Sequence, residues 1–151
     1  MTTKSDASPK SAPRARGRNV LAVASGKGGV GKTWFSITLT HALVLEGHKT
    51  LLFDGDLGLA NIDIQLGLMP KYDLGGVISG RIRLKDALTH FPDGDFDIIA
   101  GRSGSGSLSN LPANSLQALS HDLLHTGKEY DYVLIQLCHC VTQRARQMTG
   151  P

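Results

Sequence analysis

The stretch Gly26-Lys27-Gly28-Gly29-Val30-Gly31-Lys32-Thr33 constrains this chain more than any other. It fits G-x-x-x-x-G-K-[ST], the pattern of a phosphate-binding loop. A polyphosphate needs several backbone N–H donors facing it in a concave nest, and side chains would block that approach. Glycines remove the Cβ atoms and permit φ > 0. Lys32 supplies a point charge for β- and γ-phosphates, and the Thr33 hydroxyl is a ligand for Mg²⁺. The positive end of the following helix faces the same anion. A Gly-rich surface turn is the plain alternative, and the flanking sequence decides between them.

Val20-Leu21-Ala22-Val23-Ala24 reads as a short buried strand entering the loop, within a strand over roughly 19–24. Thr33 to Glu46 reads as a helix leaving it, stopped by Gly47. Its apolar residues lie on most sides, which predicts a largely buried helix. Thr50-Leu51-Leu52-Phe53-Asp54 reads as a second strand. Strand, helix and strand make a βαβ unit and imply a parallel sheet, with binding at the carboxyl ends of its strands. Both the loop and Asp54 belong at that end.

Asp54-Gly55-Asp56-Leu57-Gly58-Leu59-Ala60-Asn61 follows. Two carboxylates at i and i+2 leave a strand end beside the loop. One can support the water shell of a magnesium ion and the other can orient an attacking water. Taken alone, an Asp/Gly turn is the commoner meaning of such a segment. Paired with the loop, the chemical meaning is preferred.

The sequence K-G-G-V-G-K-T at 27–33 resembles the deviant phosphate loop of the MinD/ParA ATPases, and D-x-D-x-G-x-A-N at 54–61 resembles their switch segment. The run 56–68 looks most like the flagellar-number regulators of that family, since division-site members usually carry Arg where Ala60 stands. The resemblance covers residues 19 to about 135. It implies an α/β P-loop NTPase fold, a mainly parallel sheet with helices on both faces, and a cytoplasmic ATPase using ATP and Mg²⁺. It implies that residues 26–33 hold phosphate, with Lys32 on the β- and γ-phosphates and Thr33 on the metal. Asp54 holds the metal's water shell, and Asp56 orients the attacking water. Lys27 reaches across an ATP-dependent homodimer. Trp34 stands at a further nucleotide-binding position, where many relatives have a phosphate-touching hydroxyl that tryptophan lacks. A flagellar or polar protein is the implied partner. Membrane attachment is implied only through a C-terminal helix that these residues lack.

Charge separates the chain into parts. Residues 1–18 hold Lys4, Lys10, Arg14, Arg16 and Arg18 against Asp6, and they read as a disordered basic leader. Residues 19–136 hold 9 basic and 12 acidic side chains, which argues against a ParA-like protein working on DNA. No apolar run is long enough to span a membrane, and no secretory signal is present. The absence of C-x-x-C argues against an iron–sulfur carrier related to this family. Gly101 to Ser107 reads as a flexible loop, with Arg102 a weak candidate for the nucleotide. A helix follows Asn110-Leu111-Pro112 and ends at Gly127, with His121 and His125 on its solvent face.

Tyr130 to Ile135 resembles the family's Walker B strand, which should end in Asp; here Gln136 follows. A neutral amide serves Mg²⁺ and its waters less well than a carboxylate. Loss of such an outer-shell partner costs about 10–100-fold in metal affinity or activity. Residues 137–151 are expected to fall outside the resemblance, and Cys138-His139-Cys140 is too short a run to enclose a metal. The expectation is a nucleotide-binding domain over 19–136, incomplete on its C-terminal side, with an unrelated tail produced by a frameshift after Ile135. A fragment that binds nucleotide weakly or not at all is the second reading.

Overall fold

The computed structural model describes residues 19–102 and 108–138. The basic leader, the core of the 101–107 loop and the tail beyond Cys138 lie outside the described residues. Strand β1 (Asn19–Val23) leads through the glycine loop into helix α1 (Lys32–Leu45). Strand β2 (Thr50–Gly55) follows, then short helices α2 (Ile62–Gln65) and α3 (Leu74–Ile78). Strands β3 (Leu88–Phe91) and β4 (Phe96–Ile99) come next, then helix α4 (Ala113–Thr126) and strand β5 (Tyr132–Leu137).

The strand order is β1-β5-β2-β4-β3. The first four of these strands run parallel, and β3 pairs antiparallel to β4 at the edge. The expected mainly parallel sheet is therefore present. Its centre is apolar on both faces because consecutive residues alternate sides. Leu51, Phe53, Ile99 and Val133 face one layer with Leu74 of α3 and Leu119 and Leu123 of α4. Leu52, Ile98 and Leu134 face the other, against Ile37, Leu43 and Val44 of α1. Helices thus cover both faces. Each fully buried leucine here contributes about 1.5–3 kcal/mol relative to exposure.

The strand starts are fastened by polar contacts. The Tyr130 hydroxyl donates to Asp97 at 2.6 Å, and His90 Nδ1 lies 2.8 Å from the other oxygen of the same carboxylate. Burial and the Asp97 charge push the Tyr130 phenol well above its ordinary value. The Asp131 carboxylate accepts from the Lys49 backbone N–H at 2.9 Å, fixing the register of β5 beside β2.

Strand β1 is an edge strand and largely exposed, not the buried strand expected, because β5 covers only one side of it. Helix α1 corrects a second expectation. It is not largely buried: Trp34, Phe35 and Leu45 are exposed, at 68%, 51% and 75%. The residues fully buried on it are Ser36 and Thr40, and the Thr40 hydroxyl donates back to the Ser36 carbonyl at 2.7 Å. The physical reason is that the sheet covers only one face of the helix. Apolar residues all round a helix cannot all be covered by one layer. The helix does stop as expected, before Gly47, which is left-handed with φ 86°. Helix α4 ends at Gly127, and both His121 and His125 are exposed. Among the described residues no helix is long and apolar enough to cross a membrane.

Candidate functional site

Parallel strands β1, β5 and β2 end side by side, with Gln136 in register with both Val23 and Asp54. The glycine loop leaves β1 at that end. Its first turn is held by Ser25, whose hydroxyl donates to the Lys27 carbonyl at 2.9 Å and accepts from the Lys27 N–H at 3.1 Å. Gly31 caps helix α1 in the left-handed region (φ 89°, ψ 23°), where a side chain would be strained. Its carbonyl accepts the Phe35 N–H at 2.9 Å, starting the helix. A Cβ built at Gly26, Gly28, Gly29 or Gly31 would meet nothing within 4 Å. The loop is an open cradle at the positive end of a fourteen-residue helix. Lys32 and Thr33 are the first residues of that helix, while Lys27, Val30 and Trp34 are exposed around the rim.

The second wall comes from the segment after β2. Asp54 is fully buried, and Asp56 is 9% exposed. The two Asp54 oxygens accept backbone N–H groups of Asp56 at 3.2 Å and of Ile62 at 3.3 Å. Asp56 accepts the Leu59 N–H at 3.3 Å. These bonds fold the segment back over the strand end. Gly101 closes the packing from β4: a Cβ there would lie 2.6 Å from Ala60 Cβ and 3.0 Å from the Asp54 carbonyl oxygen.

Thr33 links the two walls. Its hydroxyl donates to Asn61 Oδ1 at 3.0 Å and accepts from Gln136 Nε2 at 2.9 Å. Helix α1, the segment after β2 and strand β5 thus meet at one oxygen. Asn61 stands in the sequence only as the last letter of the switch pattern, with no sign that it holds Thr33. The Arg102 side chain packs against Gly75 at the start of α3, where a built Cβ would be 2.9 Å from Arg102 Cδ.

Burial pushes the Asp54 carboxyl from 3.8 up to about 6, against the pull of the Ile62 and Asp56 N–H groups; the Asp56 charge adds to the rise. Among the described residues no salt bridge involves Asp54. The folded chain therefore holds this proton more tightly than the unfolded chain. The stability so contributed is fully present below pH 3.8 and is lost as pH rises through about 6. Its size is on the order of 3 kcal/mol. Asp54→Asn is expected to flatten this fall, which thermal melts from about pH 4 to about pH 7.5 would show; an unchanged slope would move the proton elsewhere.

These groups fit a magnesium–phosphate ligand. The open cradle presents N–H groups, a helix terminus and Lys32 to an anion. The buried Asp54 carboxylate and the Thr33 hydroxyl are oxygens of the kind a hard cation takes.

Comparison with known proteins agrees. The chain is 47% identical over 105 residues to the antiactivator FleN of Pseudomonas aeruginosa, covering 67% of this chain and 37% of that protein. It is 31% identical over 117 residues to the flagellum site-determining protein YlxH of Helicobacter pylori, covering 76% and 39%. Among solved structures, the septum site-determining protein MinD of Pyrococcus horikoshii, complexed with Mg-ADP, superimposes with a TM-score of 0.64. That match has 28% identity and covers 78% of this chain and 48% of that one. The chain spans less than half the length of these relatives. The fold is that of an α/β P-loop NTPase. A family model for the CobQ/CobB/MinD/ParA nucleotide binding domain matches residues 21–141, and the chain belongs to that family.

Proposed function

We propose that this chain binds Mg·ATP at the carboxyl ends of β1, β5 and β2, dimerises with nucleotide between two copies, and hydrolyses it slowly as a cytoplasmic positional switch. The observation that carries this reading is the open glycine cradle set at the strand ends beside Thr33 and the buried Asp54 carboxylate. The backbone of 26–31 binds phosphate, and Lys32 pairs with the β- and γ-phosphates. Thr33 and Asp54 hold the metal and its water shell. The metal neutralises charge that develops on the phosphates. Asp56 orients the attacking water, and Lys27, exposed on the loop, serves the partner copy's nucleotide. Trp34 borders the nucleotide without bonding phosphate. The likeness to FleN and to a flagellum site-determining protein supports a role in flagellar number or placement, or at the cell pole.

Titrating the purified chain with fluorescent ADP and ATP tests this reading. Trp34, the one tryptophan, gives a second signal at the loop. Lys32→Ala is expected to weaken binding about 100-fold, since a charge-assisted contact to phosphate contributes about 3 kcal/mol. Equal affinity for both chains would remove Lys32 from the phosphates.

A second reading is supported by Gln136, where a neutral amide stands at the end of the central strand. Under it the chain binds nucleotide weakly and hydrolyses none. Multiple-turnover phosphate release, followed at protein concentrations high enough to dimerise, separates the two.

A further inference from the structure

The roles above leave the buried Gln136 carboxamide unassigned. Gln136 is 1% exposed and sits on β5 between Val23 and Asp54. Its Nε2 donates to Thr33 Oγ1 at 2.9 Å. Thr33 spends its only hydrogen on Asn61 Oδ1, 3.0 Å away. A hydroxyl has one hydrogen and two lone pairs, so a single lone pair is left. The amide's other end, Oε1, is buried and has no hydrogen-bond partner among the described residues.

We propose that Gln136 is a latch on Thr33 that opposes a divalent cation and so sets how far Mg²⁺ assists nucleotide binding. This rests on the nucleotide reading of the loop. The donor end of the amide, its positive end, points at the oxygen the metal would take. A cation can reach only the remaining lone pair of that oxygen, and there it meets an unfavourable dipole. Rotation about the terminal torsion exchanges the two ends, and such torsions have broad, roughly two-fold profiles. The turned amide offers Oε1 to a metal-bound water. The cost is the lost bond to Thr33 and an N–H group placed where Oε1 now has no partner. Gln136 is thus a positioning residue with two orientations, and the latched one disfavours metal at Thr33.

Two explanations of the amide predict opposite effects for one variant. If Gln136 were merely a poor acceptor, Gln136→Leu would leave the Mg²⁺ effect unchanged or reduce it. For a latch, Gln136→Leu releases Thr33 and increases it. The measurement is the ratio of fluorescent-ADP Kd in EDTA to Kd in excess Mg²⁺, on the full chain. For the wild type the ratio is expected to stay below about tenfold, and Gln136→Asp to raise it about 10–100-fold. Gln136→Leu should fall between them, with its Kd in EDTA unchanged and its melting transition retained. Gln136→Met, which also lacks the donor, takes its place if the leucine does not pack. Nucleotide binding with a ratio that either apolar variant leaves unchanged or lowers overturns the latch alone. Absence of binding in both buffers overturns the nucleotide reading, and the latch falls with it.

Discussion

Asp56→Asn is expected to lower single-turnover ATP hydrolysis by about 10²–10⁴-fold, the usual contribution of a positioned acid–base group. Nucleotide affinity should change by less than about threefold, because the substitution removes no phosphate contact. Asp56 follows the buried Asp54 by two residues and is itself 9% exposed. Its Oδ1 accepts the Leu59 N–H at 3.3 Å, which aims the carboxyl and leaves the second oxygen to hold a water. Asparagine keeps the shape and the Oδ1 acceptor and replaces the second oxygen with a donor. The variant therefore separates orientation of water from folding of the segment. An equal rate in both proteins would assign the attacking water to another group.

Phe53→Ala is expected to destabilise the chain by about 3–5 kcal/mol, the cost of emptying a large aromatic site in a core. Phe53 is 1% exposed on β2 and packs in the layer with α3 and α4. Whole domains are stable by only about 5–15 kcal/mol, so this one change removes a large share. The cavity would also lie next to Asp54. Nucleotide binding should weaken along with stability. Urea denaturation reads the first effect and fluorescent-ADP titration the second. A loss below about 1 kcal/mol would mean that the site collapses without strain.

The loop, helix α1, β2 and the carboxylates of 54–56 were legible because each rests on local rules. Glycines mark the cradle, a short apolar run marks a strand, and an acid at its end marks the ligand side. Burial of α1 was misread, since periodicity counts apolar residues and does not say how many faces are covered. Trp34 and Phe35 are exposed as a result. Strand β3 gives little signal because Leu88–Phe91 is short, half-buried and on an edge. The Thr33 bonds to Asn61 and Gln136 span 28 and 103 positions, and no local pattern encodes them. Gln136 was conspicuous as an amide where a carboxylate was expected. Its use as a donor to Thr33 came only from the geometry.

The strand order has a consequence for how the molecule is made. β5 is the last of the described strands in sequence, yet it lies between β1 and β2. The first two strands to leave the ribosome therefore have no hydrogen-bonded contact with each other. β2 can pair early with β4, but among the described strands β1 pairs only with Tyr132–Leu137, which alone joins it to β2. Pairings this far apart in sequence are slow to form, because closing the intervening chain costs entropy before any contact repays it. The loop and Asp54 are synthesised early but come to rest side by side only when β5 is inserted. The proposed nucleotide site would thus form late and abruptly, only once Tyr132–Leu137 is free to pair. Ligand present at that moment would draw β5 into place by mass action.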